Sequence, residues 1–311
     1  MVTHVTPRYS DIAQKAAQVT GACRPASRIP QTGPRERWRR CRTEGSSYGL
    51  VVCQYLFMDR SLMKQQAKQA LRRTVGEPYV GKRLKLRRLA HVMPALNLHP
   101  TAILDAGAED ATFVYWLADK YPQATVTAVD IDEEAIDACL RARPAAYRDR
   151  VQFKVSSFAE LASAAFDLVT AFDVLEHIVE DQAAAADLSR VLRPGGTLLA
   201  HVPRDRWVTR SGITHAMADE DAWQINPGHV RQGYSPGQMT TLLVGAGLEV
   251  ELIETWIGRW GTLAHEIYGR LERPTPLRML SLPVTDICAA LDRREASKEG
   301  NSVFAQARKP T

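Results

Sequence analysis

From residue 101 onward, apolar and polar positions switch regularly between two periods. Ala102-Ile103-Leu104-Asp105 reads as a short strand, followed by strands at Ala124 to Asp130, Val151 to Val155, Phe166 to Phe172 and Thr197 to Val202. The stretches between them have helical spacing. Phe113, Trp116, Leu117 and Tyr121 share one face after the capping candidate Asp110, and Ile136, Cys139 and Leu140 follow the capping candidate Asp132. Ser235 is placed to cap a helix carrying Met239, Leu242, Leu243 and Ala246, and Leu248 to Trp256 and Ser302 to Ala307 read as two closing strands. Strands that alternate with helices in this way form a parallel sheet covered on both faces.

Before residue 101 the pattern is different. Residues 1–57 are dominated by Arg, Pro, Ser, Thr and Gly and hold no sustained apolar period, so they read as a basic, disordered extension. Residues 58–100 read as a basic helical segment. Ser61 can cap a helix with Leu62, Met63, Ala67, Ala70 and Leu71, and a second helix covers Gly81 to Leu96. Lys82, Arg83, Lys85, Arg87 and Arg88 crowd the second helix; a solvated face is the default expectation, and a surface for membranes or anionic ligands is the sharper one. Residues 101–311 form the third part, with an inserted cap at 258–301 that contains a helix around Leu263, Ile267, Tyr268 and Leu271 and a hydrophobic loop at Met279, Leu280 and Leu282.

Charge follows the same division. Residues 1–100 hold 19 Lys/Arg against 5 Asp/Glu and the remainder 21 against 30, so the formal net charge of +5 averages a basic part and an acidic part. The longest apolar run, Tyr48 to Met58, is too short to cross a bilayer. Met1 to Gln14 lacks the apolar stretch of a secretory signal. The five cysteines, Cys23, Cys41, Cys53, Cys139 and Cys288, show no metal or redox spacing, which points to a reducing, cytoplasmic setting.

In an open parallel sheet, ligands bind beyond the carboxyl ends of the strands. The first strand runs into Asp105-Ala106-Gly107-Ala108-Glu109-Asp110, and the second ends in Asp130, an acid suited to accept hydrogen bonds from both hydroxyls of a ribose. Only Gly107 remains of the glycines that a dinucleotide fingerprint requires, which disfavours NAD and FAD.

Four features, Ile103-Leu104-Asp105-Ala106-Gly107, Ala128-Val129-Asp130-Ile131-Asp132, Phe166-Asp167-Leu168-Val169 running into Asp173-Val174-Leu175-Glu176-His177, and Leu192-Arg193-Pro194-Gly195-Gly196, give order and spacing that resemble the class I S-adenosylmethionine-dependent methyltransferases, in particular the quinone and small-molecule branch. The resemblance implies an α/β fold: a Rossmann-like doubly wound, mostly parallel seven-stranded sheet with helices on both faces. It implies S-adenosyl-L-methionine as cofactor. Asp105 and Gly107 would shape the loop at its methionine portion, Asp130 would bind the ribose and Ile131 would pack on the adenine. Ser157 stands where the family often has an acid for the adenine amine, Phe158 would supply an apolar wall, and Asp173 would line the methionine end. One departure stands out. Where the family pattern is Gly-x-Gly-x-Gly, this chain has Gly107-Ala108-Glu109-Asp110-Ala111, so a positive φ at Glu109 would be strained.

For transfer to a hydroxyl, His177 just past the fourth strand and His229 in the Gly228-His229-Val230-Arg231 turn are the candidate bases. His201, within an apolar strand, reads as structural, and no ligand spacing points to a metal. Trp207, Trp223, Trp256 and Trp260 are candidates to enclose an apolar acceptor. The leading expectation is methyl transfer to a hydroxyl oxygen of a small-molecule or lipid-like acceptor, with peripheral membrane contact through the basic helices. Carbon methylation of a quinone-like ring and a non-catalytic protein of the same fold are the alternatives. Nucleic acid is disfavoured, because Asp173-Val174-Leu175-Glu176 is not the Asn/Asp-Pro-Pro-Tyr/Phe sequence of many base methyltransferases.

Overall fold

The computed structural model describes residues 76–209, 228–270, 275–292 and 299–311. The expected extension at 1–57, the helix from Ser61 to Leu71, and Trp223 lie outside them. Helix α1 spans Val80–Leu96 and precedes strand β1, Ala102–Ala106. The crossovers follow in order: α2 Thr112–Lys120, β2 Thr125–Asp130, α3 Glu133–Ala142, β3 Val151–Val155, β4 Phe166–Phe172, α4 Asp181–Val191 and β5 Leu192–Pro203. The chain closes with α5 Pro236–Gly245, β6 Glu249–Trp256, α6 Arg259–Arg270, α7 Thr275–Asp292 and β7 Ser302–Arg308.

The seven strands form one sheet in the order β3-β2-β1-β4-β5-β7-β6. β1 to β5 pair in parallel, whereas β7 runs antiparallel to both β5 and β6. The winding reverses between β1 and β4, which opens a crevice at their carboxyl ends.

Successive strand residues point to opposite faces and build two cores. Ile103, Leu168, Phe172 and Leu199 join α1, α2 and α3 in one, while Leu104, Val169, Leu198 and Val202 join α4 and α5 in the other. By the same alternation Asp105, Thr170 and His201 lie on the face that α1 covers. Caps follow local chemistry: the Asp132 carboxylate accepts from the backbone N–H of Glu134 and Ala135, and Ser235 caps α5 with a reciprocal bond to Gln238. Asp110 does not cap α2 directly. Ala111 occupies that position with φ +59°, and Asp110 accepts from the N–H of Thr112 instead.

The segment between β6 and β7 is helical on both sides, so the hydrophobic loop expected at Met279 to Leu282 is replaced by α7. Buried Leu282, Thr285, Cys288 and Ala289 keep helical spacing through Pro283, which explains the continuation. Trp256 is core rather than wall, stacked on Phe304 at 4.0 Å between ring centroids. Among the described residues no helix is long and apolar enough to cross a membrane.

Candidate active site at the carboxyl ends of the strands

The loop after β1 is anchored first by backbone. The N–H groups of Gly107 and Ala108 both donate to the Val129 carbonyl at 2.9 Å. Gly107 has φ +84°, and a Cβ there would meet Val174 Cγ2 at 2.5 Å, so glycine is required both by conformation and by the close approach of the loop after β4. The next two family glycine positions do adopt positive φ: Glu109 at +41° and Ala111 at +59°. Such a conformation costs an L-residue about 1–2 kcal/mol, and the loop compensates with contacts. Glu109 N–H donates to Asp130 Oδ2 at 3.0 Å, and Lys82 Nζ reaches Glu109 at 2.7 Å and Asp110 at 2.8 Å. Burial works against the Lys82 ammonium, but Asp110 and then Glu109 outweigh it and raise its pKa.

Asp130 at the tip of β2 has each carboxylate oxygen oriented by an amide, Oδ2 by Glu109 and Oδ1 by Asp132. A carboxylate has about four lone-pair sites, so these two bonds leave acceptor capacity for two hydroxyls. Ile131 beside it is 79% exposed, an apolar side chain with an open face. Ser157 caps a 3-10 turn at Phe158–Glu160, and its N–H donates to Glu160 at 3.1 Å. Phe158 packs in part against the core under α4. The Asp105 carboxyl accepts from the Thr170 hydroxyl at 2.5 Å across the β1–β4 register, and burial pushes its pKa up to about 7.

Asp173, just past β4, sits at φ +56° and is held rather than free. Its carboxylate pairs with Lys85 Nζ and with His201 Nδ1, the latter at 2.8 Å. Burial opposes its ionisation, yet Lys85 and His201 together hold its pKa far below the usual carboxylate range. Burial and the Lys85 charge depress the His201 imidazole, against the pull of Asp173. His201 therefore orients Asp173 from inside the sheet.

The expected solvated face of α1 is corrected by these contacts. Lys82, Arg83 and Lys85 are buried, and all five basic residues of the helix meet carboxylates of the chain itself: Arg83 and Arg87 reach Asp286 and Arg88 reaches Glu254. The charge run was visible, but its acidic partners are spread over loops and helices far apart in sequence. Lys82 and Lys85 contact the loop after β1 and the candidate Asp173, which spacing alone did not reveal.

The two candidate bases do come together. His177 ends a 3-10 turn at Leu175–His177, and its ring meets that of His229 edge-on at 4.5 Å. Burial, then the His177 charge, push the His229 imidazole below its ordinary pKa. Beneath them Glu176 is fully buried, and burial followed by the Asp173 charge raises its pKa well above the usual value. Ligand-capable atoms of Glu176, His177 and His229 all lie within 4.8 Å of one another, a grouping that sequence spacing did not show.

Comparison with known proteins agrees with this geometry. The family model described as a methyltransferase domain matches residues 104–198. A Mycolicibacterium smegmatis protein named as an S-adenosylmethionine-dependent methyltransferase is 32% identical over 167 residues, covering 53% of this chain and 56% of its own length. A ubiquinone biosynthesis O-methyltransferase of Xanthomonas euvesicatoria pv. vesicatoria is 27% identical over 186 residues, covering 55% of this chain and 74% of its own. In fold, the chain is similar to a phosphoethanolamine N-methyltransferase 2 of Haemonchus contortus solved with S-adenosyl-L-methionine, at 17% identity and a TM-score of 0.51 over 78% of this chain and 60% of that one. The sheet, the loop after β1 and the matched segment define a class I methyltransferase domain. The methyltransferase domain match and the relatives named as methyltransferases support a class I S-adenosylmethionine-dependent methyltransferase, with S-adenosyl-L-methionine as the cofactor, over a chain that spans about half the length of the first of those relatives.

Proposed function

We propose that this chain transfers a methyl group to a hydroxyl oxygen of a small-molecule or lipid-like acceptor. The observation that carries the reading is the His177–His229 pair at the tip of β4, beside the loop that packs on Gly107. Asp130 would hold the ribose of S-adenosyl-L-methionine with its spare lone pairs, Ile131 and Phe158 would flank the adenine, Ser157 would meet its amine, and Gly107, Asp105 and Asp173 would shape the methionine end. When bound, the cofactor supplies a methyl carbon activated by a sulfonium. The chain's own task is to hold the acceptor oxygen about 3 Å from that carbon and in line. Burial lowers the His229 pKa, which favours the neutral imidazole that would accept the hydroxyl proton, a contribution of about 10²- to 10⁴-fold where a base is well placed.

The naming of one relative as a ubiquinone biosynthesis O-methyltransferase supports oxygen as the acceptor atom. The division into 1–57, 58–100 and 101–311 with a cap at 258–301 belongs to the same reading, with α6 and α7 as the cap. So does a cytoplasmic setting, for which the free thiols of Cys139 and Cys288 speak. A membrane contact would rest on basic residues other than the five paired in α1. The test is turnover of S-adenosyl-L-methionine with fractionated metabolite and lipid pools, followed by mass spectrometry and localisation of the new methyl. A product methylated on oxygen is expected. A methyl on carbon rejects the oxygen assignment, and folded protein that binds neither cofactor nor S-adenosylhomocysteine rejects the enzyme reading.

A further inference from the structure

Glu176 is 0% exposed, yet among the described residues neither of its carboxylate oxygens has a hydrogen-bond partner. A buried carboxyl in that state either keeps its proton or sits beside a positive partner, because the bare charge carries a large desolvation penalty. The neighbouring cations are already committed. Lys85 pairs with Asp173, and the two terminal nitrogens of Arg231 go to Asp181, the carbonyls of Ile178 and Val179, and the Tyr234 hydroxyl, which leaves only its Nε without a partner. What does face Glu176 is a pair of imidazoles, and His229 Nδ1 is likewise buried without a partner.

The frame around the three side chains is rigid. Val230 N–H donates to the Glu176 carbonyl at 3.0 Å, tying the turn that carries His229 to the turn that carries His177. Arg231 then pins the same turn to the start of α4. Gly228, at φ +88°, lies where a Cβ would come within 3.2 Å of His177 Nδ1, so its lack of a side chain leaves room for that ring.

We propose that Glu176, His177 and His229 bind one divalent transition-metal cation of the zinc or cobalt kind. Two imidazoles and one carboxylate suit such ions better than magnesium or calcium, and three protein ligands leave coordination open, as in catalytic sites. Ligand distances of about 2.0–2.2 Å call for a modest rotation of the side chains, which the exposed His177 can make. This deepens the proposed function and, for the acceptor, rests on it: the histidines become ligands, and the open positions take an acceptor presenting two neighbouring oxygens. Coordination lowers the acceptor hydroxyl's pKa, so its proton passes to water. The oxygen lone pair then forms the new O–CH₃ bond while the C–S electron pair returns to sulfur.

The test uses the full chain without a histidine tag, freed of metal by a chelator and titrated with Co²⁺ under visible absorption and calorimetry. One saturable equivalent with ligand-field bands is expected. The single variants His177→Ala and Glu176→Gln should each bind at least about tenfold more weakly, since even outer-sphere changes cost 10- to 100-fold, with S-adenosylhomocysteine affinity unchanged. Absence of saturable Co²⁺ binding in the wild type, or wild-type binding by both variants, overturns the cation site. Turnover that persists in excess chelator does the same while leaving methyl transfer standing. Protein that binds Co²⁺ but not S-adenosylhomocysteine overturns methyl transfer while leaving the cation site standing.

Discussion

The two ends of the sheet treat carboxylates in opposite ways. At the amino ends of β1 and β4, Asp167 gathers the Thr101 hydroxyl and N–H, the Ala102 N–H and the Arg193 guanidinium. Although burial opposes it, those donors bring its pKa down to about 2. At the carboxyl ends, Asp105 is buried with the Thr170 hydroxyl as its hydrogen-bond partner and rises to about 7, and Glu176 is buried beside two imidazoles. The first end is satisfied and serves as a staple. The second pairs Asp173 with Lys85 and His201 but leaves Asp105 and Glu176 under-satisfied where ligands bind in this class of sheet.

The contrast can be tested in descending order of effect. Replacing Asp130 with Ala should weaken S-adenosylhomocysteine by at least tenfold in calorimetry, because charge-assisted hydrogen bonds contribute about 1.5–3 kcal/mol each and tenfold corresponds to about 1.4 kcal/mol. Unchanged affinity would remove Asp130 from the ribose. Asp167→Ala should do the reverse, lowering stability by about 1–3 kcal/mol in denaturant unfolding while cofactor affinity holds. A loss of affinity there would dissolve the distinction between the two ends.

The pH dependence should also have opposite signs. Asp105 binds its proton more tightly folded than unfolded, so its contribution to stability is greatest below about pH 4 and is lost as pH rises through about 7. Asp105→Asn should therefore gain in melting temperature relative to wild type between pH 5 and pH 8, and parallel curves would refute the raised value. For Asp167 the folded pKa is depressed, so its contribution is present above about pH 4 and is lost as pH falls through about 2. The smallest effect concerns the loop after β1. Glu109→Gly should be more stable than Glu109→Ala by about 0.5–1 kcal/mol, since only the alanine variant keeps a Cβ at positive φ. Equal melting temperatures would mean the loop relaxes when the Lys82 contact is gone.

Much of this end of the molecule can be read along the chain, for a physical reason. Period-two alternation marks β1 to β5, and the tips of β1, β2 and β4 follow from where each apolar run stops at Asp105, Asp130 and Asp173. The strain at Glu109 was legible too, because an acid stood where the family pattern has glycine. What could not be read are pairings made only in three dimensions. Lys82 and Glu109 are 27 residues apart and Lys85 and Asp173 are 88 apart, so a helix rich in lysine and arginine looked solvated although its partners were waiting on other elements. His229 reaches Glu176 and His177 through a turn ahead of α5, which no local spacing encodes.

Helix α1 lies upstream of the segment that the family model matches, residues 104–198, yet its lysines neutralise the acidic loop after β1 and the acid after β4. A chain trimmed to the matched segment would keep the family motifs but for Ile103 and lose the counter-charges of Glu109, Asp110 and Asp173. The loop after β1 and the acid after β4 therefore draw their counter-charges from a helix that the matched segment leaves out. Homologues that lack these lysines should carry a less acidic loop after the first strand, because each change removes the reason for the other.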